Sequence, residues 1–246
     1  MISIITATFN SADTLPALIA SLRGQSDRDF EWLVIDGGST DATLNMLLRA
    51  DDVVTRWVSE PDFGIYDALN KGLALARADY YVVVGSDDTL MPCAVTAFRA
   101  AASATDADVI AAPVHVGGAV VQPRRRHAWL RSGPPLVAAH SVGTLIRRSL
   151  HEEIGPYSRK YPISADTHFL LQVAHRNKRF AYVESVVGTF GTGGTSSRDT
   201  LGALCESWRA NVAVRGNYWL QLPLFVLRLL VNGRRIARAA GRGAPR

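Results

Sequence analysis

Short apolar runs alternate with helical spacing along the first 115 or so residues. Ile2 to Thr6 reads as a buried strand, Leu15, Leu18, Ile19 and Leu22 recur on one helical face, and Trp32 to Ile35 is apolar again before Leu44, Leu47 and Leu48. The alternation continues through a strand at Val53 to Val58, a helix carrying Ile65, Ala68, Leu69 and Leu73, a strand at Tyr80 to Val84, a helix after Pro92 and a strand within Asp108 to Pro113. Strands separated by helices of this length predict an α/β fold with a mainly parallel central sheet and helices on both faces. Ligands of such sheets bind beyond the carboxyl ends of the strands.

Polar clusters fall at those ends. Asn10 with Ser11, Asp36 to Asp41, Glu60 to Gly64 and Ser86 to Asp88 each follow a predicted strand, so four distant stretches converge on one sheet edge. Beyond residue 115 the pattern loosens into a Gly-, Pro- and Arg-rich connection, followed by a strand at Ser141 to Ile146 and an apolar helix through Phe169, Leu170, Leu171 and Val173. No internal repeat interrupts it.

The last stretch behaves differently. Tyr218 to Val231 is nearly all apolar, yet Pro223 and Arg228 break a run already shorter than the roughly 20 residues that span a bilayer. On a helix, Asn217, Gln221, Arg228, Asn232 and Arg235 form one narrow polar stripe opposite a broad apolar face. This predicts an interfacial helix anchored by tryptophan and arginine on an anionic membrane surface, with packing against its own domain or a second subunit as the alternative. The expected organisation is a catalytic domain over 1–212 and an amphipathic, basic segment over 213–246.

Composition narrows the picture little further. With 48% hydrophobic and 20% charged residues among 246, the chain is an ordinary globular one. The formal charge of +5 is concentrated at Arg124, Arg125, Arg126 and Arg131 and again from Arg228 to Arg246, which favours anionic partners. No recognised nucleic-acid module or aromatic stacking motif accompanies those arginines, so nucleic acid is not an expected partner. Cys93 and Cys205 have no metal-binding spacing and suggest neither a disulfide framework nor a structural zinc site. The N-terminus lacks the basic and long apolar regions of a secretory signal, and the expected location is the cytoplasm, at the inner face of the membrane.

Two acidic motifs carry candidate chemistry. Asp36-Gly37-Gly38-Ser39-Thr40-Asp41 joins a strand to a helix, with Thr40 or Asp41 available to cap it and an acid at the strand tip able to accept a base N–H. The turn alone explains most of these residues. Ser86-Asp87-Asp88 sets adjacent carboxylates at a strand end, where a hard cation such as Mg²⁺ or Mn²⁺, shared with a diphosphate, would relieve their repulsion. Capping of a helix over Thr89 to Ala101 is the competing account.

Four blocks in order resemble glycosyltransferase family 2: Ile4-Ile5-Thr6-Ala7-Thr8-Phe9-Asn10, Asp36 to Asp41, Ser59-Glu60-Pro61-Asp62-Phe63-Gly64-Ile65-Tyr66-Asp67-Ala68-Leu69-Asn70-Lys71-Gly72, and Ser86-Asp87-Asp88. The resemblance covers roughly residues 1 to 200. Its third block is similar to a bacterial branch that builds cell-surface polysaccharides. It implies a GT-A fold, a divalent metal (Mg²⁺ or Mn²⁺), inversion at the anomeric carbon and a nucleotide-sugar donor, UDP-linked in preference to GDP- or TDP-linked. The expected acceptor is a lipid-linked or cell-envelope glycan.

Matched block by block, the resemblance puts Thr8 and Asn10 against the nucleotide, Asp36 on the base and Glu60 to Gly64 over the nucleoside, with Asp67 and Asn70 among the donor-binding residues. Asp88 would bind the metal and Asp87 the donor ribose or sugar. Many members carry Arg-Asn where this chain has Leu69-Asn70, which removes an arginine contact to the base. Tyr161-Pro162-Ile163-Ser164-Ala165-Asp166 resembles the segment whose last aspartate is the general base, making Asp166 the catalytic candidate. The usual Glu-Asp pair is Ala165-Asp166 here. His140, ahead of Ser141 to Ile146, matches a histidine near donor or acceptor, and Gly191 to Ser197 resembles a late glycine-serine loop able to cradle anions.

Two other functions compete. A nucleotidyltransferase would share the layout and the carboxylates, but Thr8-Phe9-Asn10-Ser11 is not its glycine- and basic-rich phosphate loop. The other is a non-catalytic, membrane-associated nucleotide-sugar-binding protein; the retained carboxylates at 36, 87, 88 and 166 argue against it, and donor turnover decides.

Overall fold

A computed structural model describes residues 1–123, 140–191, 193 and 199–242, with the backbone alone at 234, 235 and 238–242. The arginine cluster from Arg124 to Arg131, most of the glycine-serine loop and the side chains of much of the basic tail lie outside the described residues.

Seven strands form the central sheet: β1 (Ile2–Thr8), β2 (Phe30–Asp36), β3 (Arg56–Ser59), β4 (Tyr80–Val83), β6 (Val109–Ala111), β9 (Thr144–Arg147) and β10 (Phe180–Tyr182), in the order β10-β6-β9-β4-β1-β2-β3. All run parallel except β9, which pairs antiparallel with both β4 and β6. The fold class is α/β as the alternation predicts, because strands buried on both faces read as continuous apolar runs. One core lies between the sheet and helices α1 (Leu15–Arg23), α2 (Thr43–Leu48) and α4 (Ala94–Thr105), around Trp32, Leu18 and Phe98. The other lies beneath α3 (Ile65–Leu75), α5 (Leu150–Ile154) and α6 (Ala165–His175), around Tyr81, Leu33 and Phe169. Gly72 lets α3 sit close on the sheet, since a Cβ there would come within 2.5 Å of Ile5.

A second sheet, β5 (Thr89–Leu90), β11 (Gly188–Phe190), β7 (Val114–Val116) and β8 (Ala119–Val121), stands beside the first in the order β5-β11-β7-β8. It sets aside the competing account of Ser86-Asp87-Asp88 as a helix cap, and the helix lies after Pro92 as expected. Thr89 and Leu90 do not open a helix, because their backbone pairs with β11, and α4 begins only at Ala94. The strand expected from Ser141 starts at Thr144, after a 3₁₀ turn over Ser141–Gly143, and β3 begins at Arg56 rather than Val53. Asp41 caps α2 from just outside the helix, accepting the Thr43 N–H at 2.9 Å.

Two helices close the chain: α7 (Thr200–Arg215), whose Asp199 cap accepts the Gly202 N–H, and α8 (Tyr218–Arg242), with Pro223 inside it. Gly216 adopts a left-handed φ of 67° between them, slightly beyond the expected boundary. Trp208 of α7 stacks on Phe225 of α8 with ring centroids 5.3 Å apart. Of the polar stripe, Gln221 and Arg228 are buried, together with Leu224, while Asn217 is exposed. Trp219 (82% exposed), Val226, Leu227, Leu230 (75%) and Val231 (75%) face outward. Among the described residues, no helix is long and apolar enough to cross a membrane.

Candidate active site

At the ends of β1 and β2, Asp36 is fully buried and its carboxylate is spent on its own turn. Oδ2 accepts from the N–H groups of Gly38 and Ser39 and from the Ser59 hydroxyl at 2.7 Å, and Oδ1 accepts from the Ser39 hydroxyl at 2.5 Å. Asn10 holds the same turn from β1. In a left-handed conformation (φ 47°), it donates its N–H to Ser39 Oγ and accepts the Thr40 N–H through Oδ1. Thr8 is buried, and its Oγ1 has no hydrogen-bond partner among the described residues.

The Glu60–Gly64 segment passes over this turn. A Cβ on Gly37 would lie 2.8 Å from Asp62 Oδ2 and 3.5 Å from the Phe9 ring, so the absent side chain at 37 makes room for an acid from another strand end. Asp62 Oδ1 accepts the Gly64 N–H at 2.7 Å, and Gly64 takes the φ of 105° that ends the segment. Phe63 is exposed beneath the Arg159 guanidinium, 4.8 Å from its ring centroid.

Helix α3 directs its polar residues unevenly. Asp67 is buried, accepts the Phe63 N–H at 3.3 Å and pairs with Arg159 and Lys71; Lys71 also pairs with Glu60 at 2.7 Å. Burial acts to raise the Asp67 carboxyl, but the Phe63 N–H and Arg159 outweigh it and hold the group below its ordinary range. Asn70 exchanges two 2.9 Å hydrogen bonds with the backbone N–H and carbonyl of Tyr157, so its amide clasps the segment ahead of α6.

At the end of β4 the two acids differ. Asp88 is 1% exposed, with Oδ2 accepting from Gly85 N–H and Oδ1 from Gly191 N–H, both at 2.8 Å. Burial pushes its carboxyl up to about 6. Asp87 is half-buried and lies directly against Gly191, where any side chain would collide with its carboxylate. Ser86 Oγ lies 2.9 Å from Ser11 Oγ, linking this end to that of β1. Among the described residues no three His, Cys, Asp or Glu side chains gather as a metal cage. Two adjacent carboxylates do suit Mg²⁺ or Mn²⁺, which take their remaining oxygens from diphosphate and water.

Asp166 lies in the first turn of α6, half-buried. Its Oδ1 accepts the Thr167 N–H at 2.6 Å and the Tyr66 hydroxyl at 2.9 Å, while the same hydroxyl lies 3.0 Å from the Ile163 carbonyl oxygen. Burial raises the Asp166 carboxyl, and the Tyr66 and Thr167 hydrogen bonds pull it partly back. The turn before it is fixed from α7: Glu206 Oε2 accepts from Ile163 N–H at 2.8 Å and Ser164 N–H at 2.9 Å. Ala165, where a first carboxylate was wanting, is buried in the core. His140 stacks on Phe190 with centroids 3.7 Å apart, and burial pushes its imidazole down to about 4, so it is neutral at physiological pH.

The fold therefore gathers Thr8, Asn10, Asp36, Glu60, Asp87 and Asp88 along neighbouring strand ends, with Tyr66 joining that side to Asp166. It turns Asp67 and Asn70 toward Arg159 and Tyr157. Sequence reasoning gave no role to Tyr66 or Glu206, and to Asp62 only one shared with the whole Glu60–Gly64 segment. Tyr66 lay inside a quoted block and Asp62 beside a permissive Gly-Gly turn, but a lone acid within α7 carries no local signal.

The model of "Glycosyl transferase family 2" matches residues 3–161. A PGL/p-HBAD biosynthesis glycosyltransferase from Mycobacterium bovis (strain BCG / Pasteur 1173P2) is 33% identical over 179 residues, 69% of this chain and 68% of that protein. Among solved structures, residues 1–349 of TarS from S. aureus give a TM-score of 0.70 at 18% identity, covering 95% of this chain and 72% of that one. Glucosyl-3-phosphoglycerate synthase from Mycobacterium tuberculosis, solved with Mn²⁺, UDP and glucosyl-3-phosphoglycerate, gives 0.63 at 20% identity, covering 88% and 80%.

Proposed function

The chain belongs to glycosyltransferase family 2 and is a GT-A glycosyltransferase that uses a nucleotide sugar, and from that premise we propose that it inverts the anomeric centre of a UDP-sugar in transfer to a hydroxyl of a lipid-linked or cell-envelope glycan. The observation that carries this reading is the Tyr66–Asp166 hydrogen bond, which joins the segment expected to cover the nucleoside to a half-buried carboxylate. The UDP preference is supported by TarS and glucosyl-3-phosphoglycerate synthase, whose structures include UDP complexes; GDP- and TDP-sugars are the alternatives.

In this reading Asp166 takes the proton of the acceptor hydroxyl as its oxygen bonds to the anomeric carbon. The bond from that carbon to the diphosphate oxygen breaks, and its electron pair leaves with the diphosphate. Inversion follows because attack and departure occur on opposite faces. Asp87 and Asp88 would hold Mg²⁺ or Mn²⁺, which supplies positive charge to the leaving diphosphate. Asp88 is already fixed by two backbone N–H groups, leaving the half-buried Asp87 as the more available carboxylate. Phe9 and Asp62 Oδ2 flank the space over Gly37 and are placed to meet the base, with buried Asp36 shaping the turn beneath. His140, neutral, orients a hydroxyl without carrying charge.

The outward apolar face of α8 supports a peripheral position on the inner face of an anionic membrane, near a lipid-carried acceptor. Helix α7 would connect that surface to the turn bearing Asp166. The test is a panel of nucleotide sugars offered to the purified chain with metal and a lipid-linked acceptor pool, the product's anomeric configuration being read by NMR. A UDP-sugar is expected to be consumed with inversion; a product that retains the donor configuration would overturn the mechanism.

A further inference from the structure

We infer that Tyr66 is the positioning residue of the base, its hydroxyl switching partner between Asp166 and the Ile163 carbonyl as Asp166 gains and loses its proton. The inference rests on the reading of Asp166 as general base. Tyr66 is the second residue of α3, which follows directly on the Glu60–Gly64 segment, and is itself buried. Its oxygen lies 2.9 Å from Asp166 Oδ1 and 3.0 Å from Ile163 O. A phenol has one proton and lone pairs that accept, whereas a backbone carbonyl can only accept.

Two hydrogen-bond arrangements follow from that chemistry. With Asp166 ionised, the phenol donates to Oδ1. With Asp166 protonated by the acceptor hydroxyl, the carboxylic acid donates to the phenol oxygen and the phenol donates to Ile163 O. Both acceptors already lie within hydrogen-bond distance of the one phenol oxygen, so no heavy atom has to travel. Burial costs the ionised carboxylate most, so the Tyr66 bond matters more to that state than to the acid.

The surroundings isolate the effect. Tyr157, ahead of α6, and Tyr81 on β4 are two further phenols near Asp166, and burial holds these two and Tyr66 above their ordinary range and therefore neutral. His168, two residues along α6, stacks on Tyr161 and is held below its ordinary range by burial and Lys160. Glu206 faces the Ile163 and Ser164 N–H groups, and Arg159 faces Asp67.

The experiment titrates Asp166 twice in the full chain: through the acidic limb of the kcat profile, and by carboxyl-carbon NMR without substrate, the resonance assigned by its loss in Asp166→Asn. Tyr66→Phe should move both upward by about one pH unit, since it removes a hydrogen bond to the charged form. Incorporating 3-fluorotyrosine at position 66, which keeps the ring and makes the hydroxyl a stronger donor, should move both downward and covers the case of a poorly folded Phe variant. An unmoved NMR titration in either folded variant overturns the inference even if Asp166→Asn abolishes turnover. Wild-type turnover in Asp166→Asn instead overturns the base assignment, a separate outcome.

Discussion

Glu206 on α7 accepts the Ser164 N–H at 2.9 Å, so a helix outside the central sheet fixes the turn from which Asp166 projects. The same carboxylate oxygen takes the Ile163 N–H, satisfying two backbone donors at the start of α6. Glu206→Ala should lower stability by about 2 kcal/mol and kcat by roughly tenfold, whereas Glu206→Gln, which keeps an acceptor oxygen, should lose much less. Urea unfolding and steady-state kinetics on the three proteins check this, and equal kcat in all of them would make the contact irrelevant to the base.

Asp166→Asn should leave nucleotide affinity nearly intact and lower kcat by roughly a hundredfold or more, because it removes proton acceptance while the strand-end pocket remains. Calorimetry with UDP alongside turnover measurements separates the two effects. A variant with intact turnover would require another base.

Mg²⁺ or Mn²⁺ should tighten UDP binding through the Asp87–Asp88 pair. Asp87→Asn should abolish that gain while preserving the thermal midpoint, and Asp88→Asn should also lower the midpoint, since Asp88 ties Gly85 to Gly191. The comparison needs calorimetry with metal and with chelator. Identical affinities under all conditions would dismiss the metal.

Burial pushes His151 down to about 4. Its Nδ1 faces the Gly155 carbonyl at 3.0 Å and must carry the proton, so Nε2 accepts from Tyr81 at 2.6 Å. The unfolded chain binds a proton near pH 6.5 and the folded chain only near 4; the stability this histidine contributes is full above 6.5 and is lost as pH falls toward 4. The stability gap between the protein and His151→Asn should therefore shrink by up to about 3 kcal/mol over that interval. A constant gap across urea melts from pH 7 to 4 would contradict it.

Vesicles of rising anionic lipid content should float the full chain but not one ending at residue 216. Each arginine near an anionic surface contributes about 1 kcal/mol, and the outward Trp219, Leu230 and Val231 add apolar burial that salt does not screen. Leu230→Glu with Val231→Glu should cut recovery sharply. Equal recovery of full and shortened chains in the soluble fraction would leave α8 as packing surface.

Much of this fold was legible because parallel strands are apolar throughout and the helices between them keep their spacing, as at Ile2 to Thr6 and Leu15 to Leu22. What the chain left open were places whose pairing partners are remote: the competing helix over Thr89 to Ala101 falls away only because β11, about a hundred residues later, pairs with Thr89 and Leu90. Site residues behaved alike. Asp87, Asp88 and Asp166 stood out as acids at element ends, whereas the contacts of Asp67 with Arg159 and of Asn70 with Tyr157 join residues far apart in the chain and leave no local mark. Glu206 was invisible for the same reason.

The antiparallel strand β9 also sets an order of assembly. A chain leaving the ribosome has β3, β2, β1 and β4 in hand by Val83, yet β4 stays an open edge until Thr144–Arg147 emerges about sixty residues later. Until then that edge offers unpaired backbone to any neighbouring strand. Synthesis slowed between β4 and β9 would thus expose a half-built nucleotide pocket to aggregation, and a chaperone that shields this edge should raise the yield of active enzyme more than one acting on the finished protein.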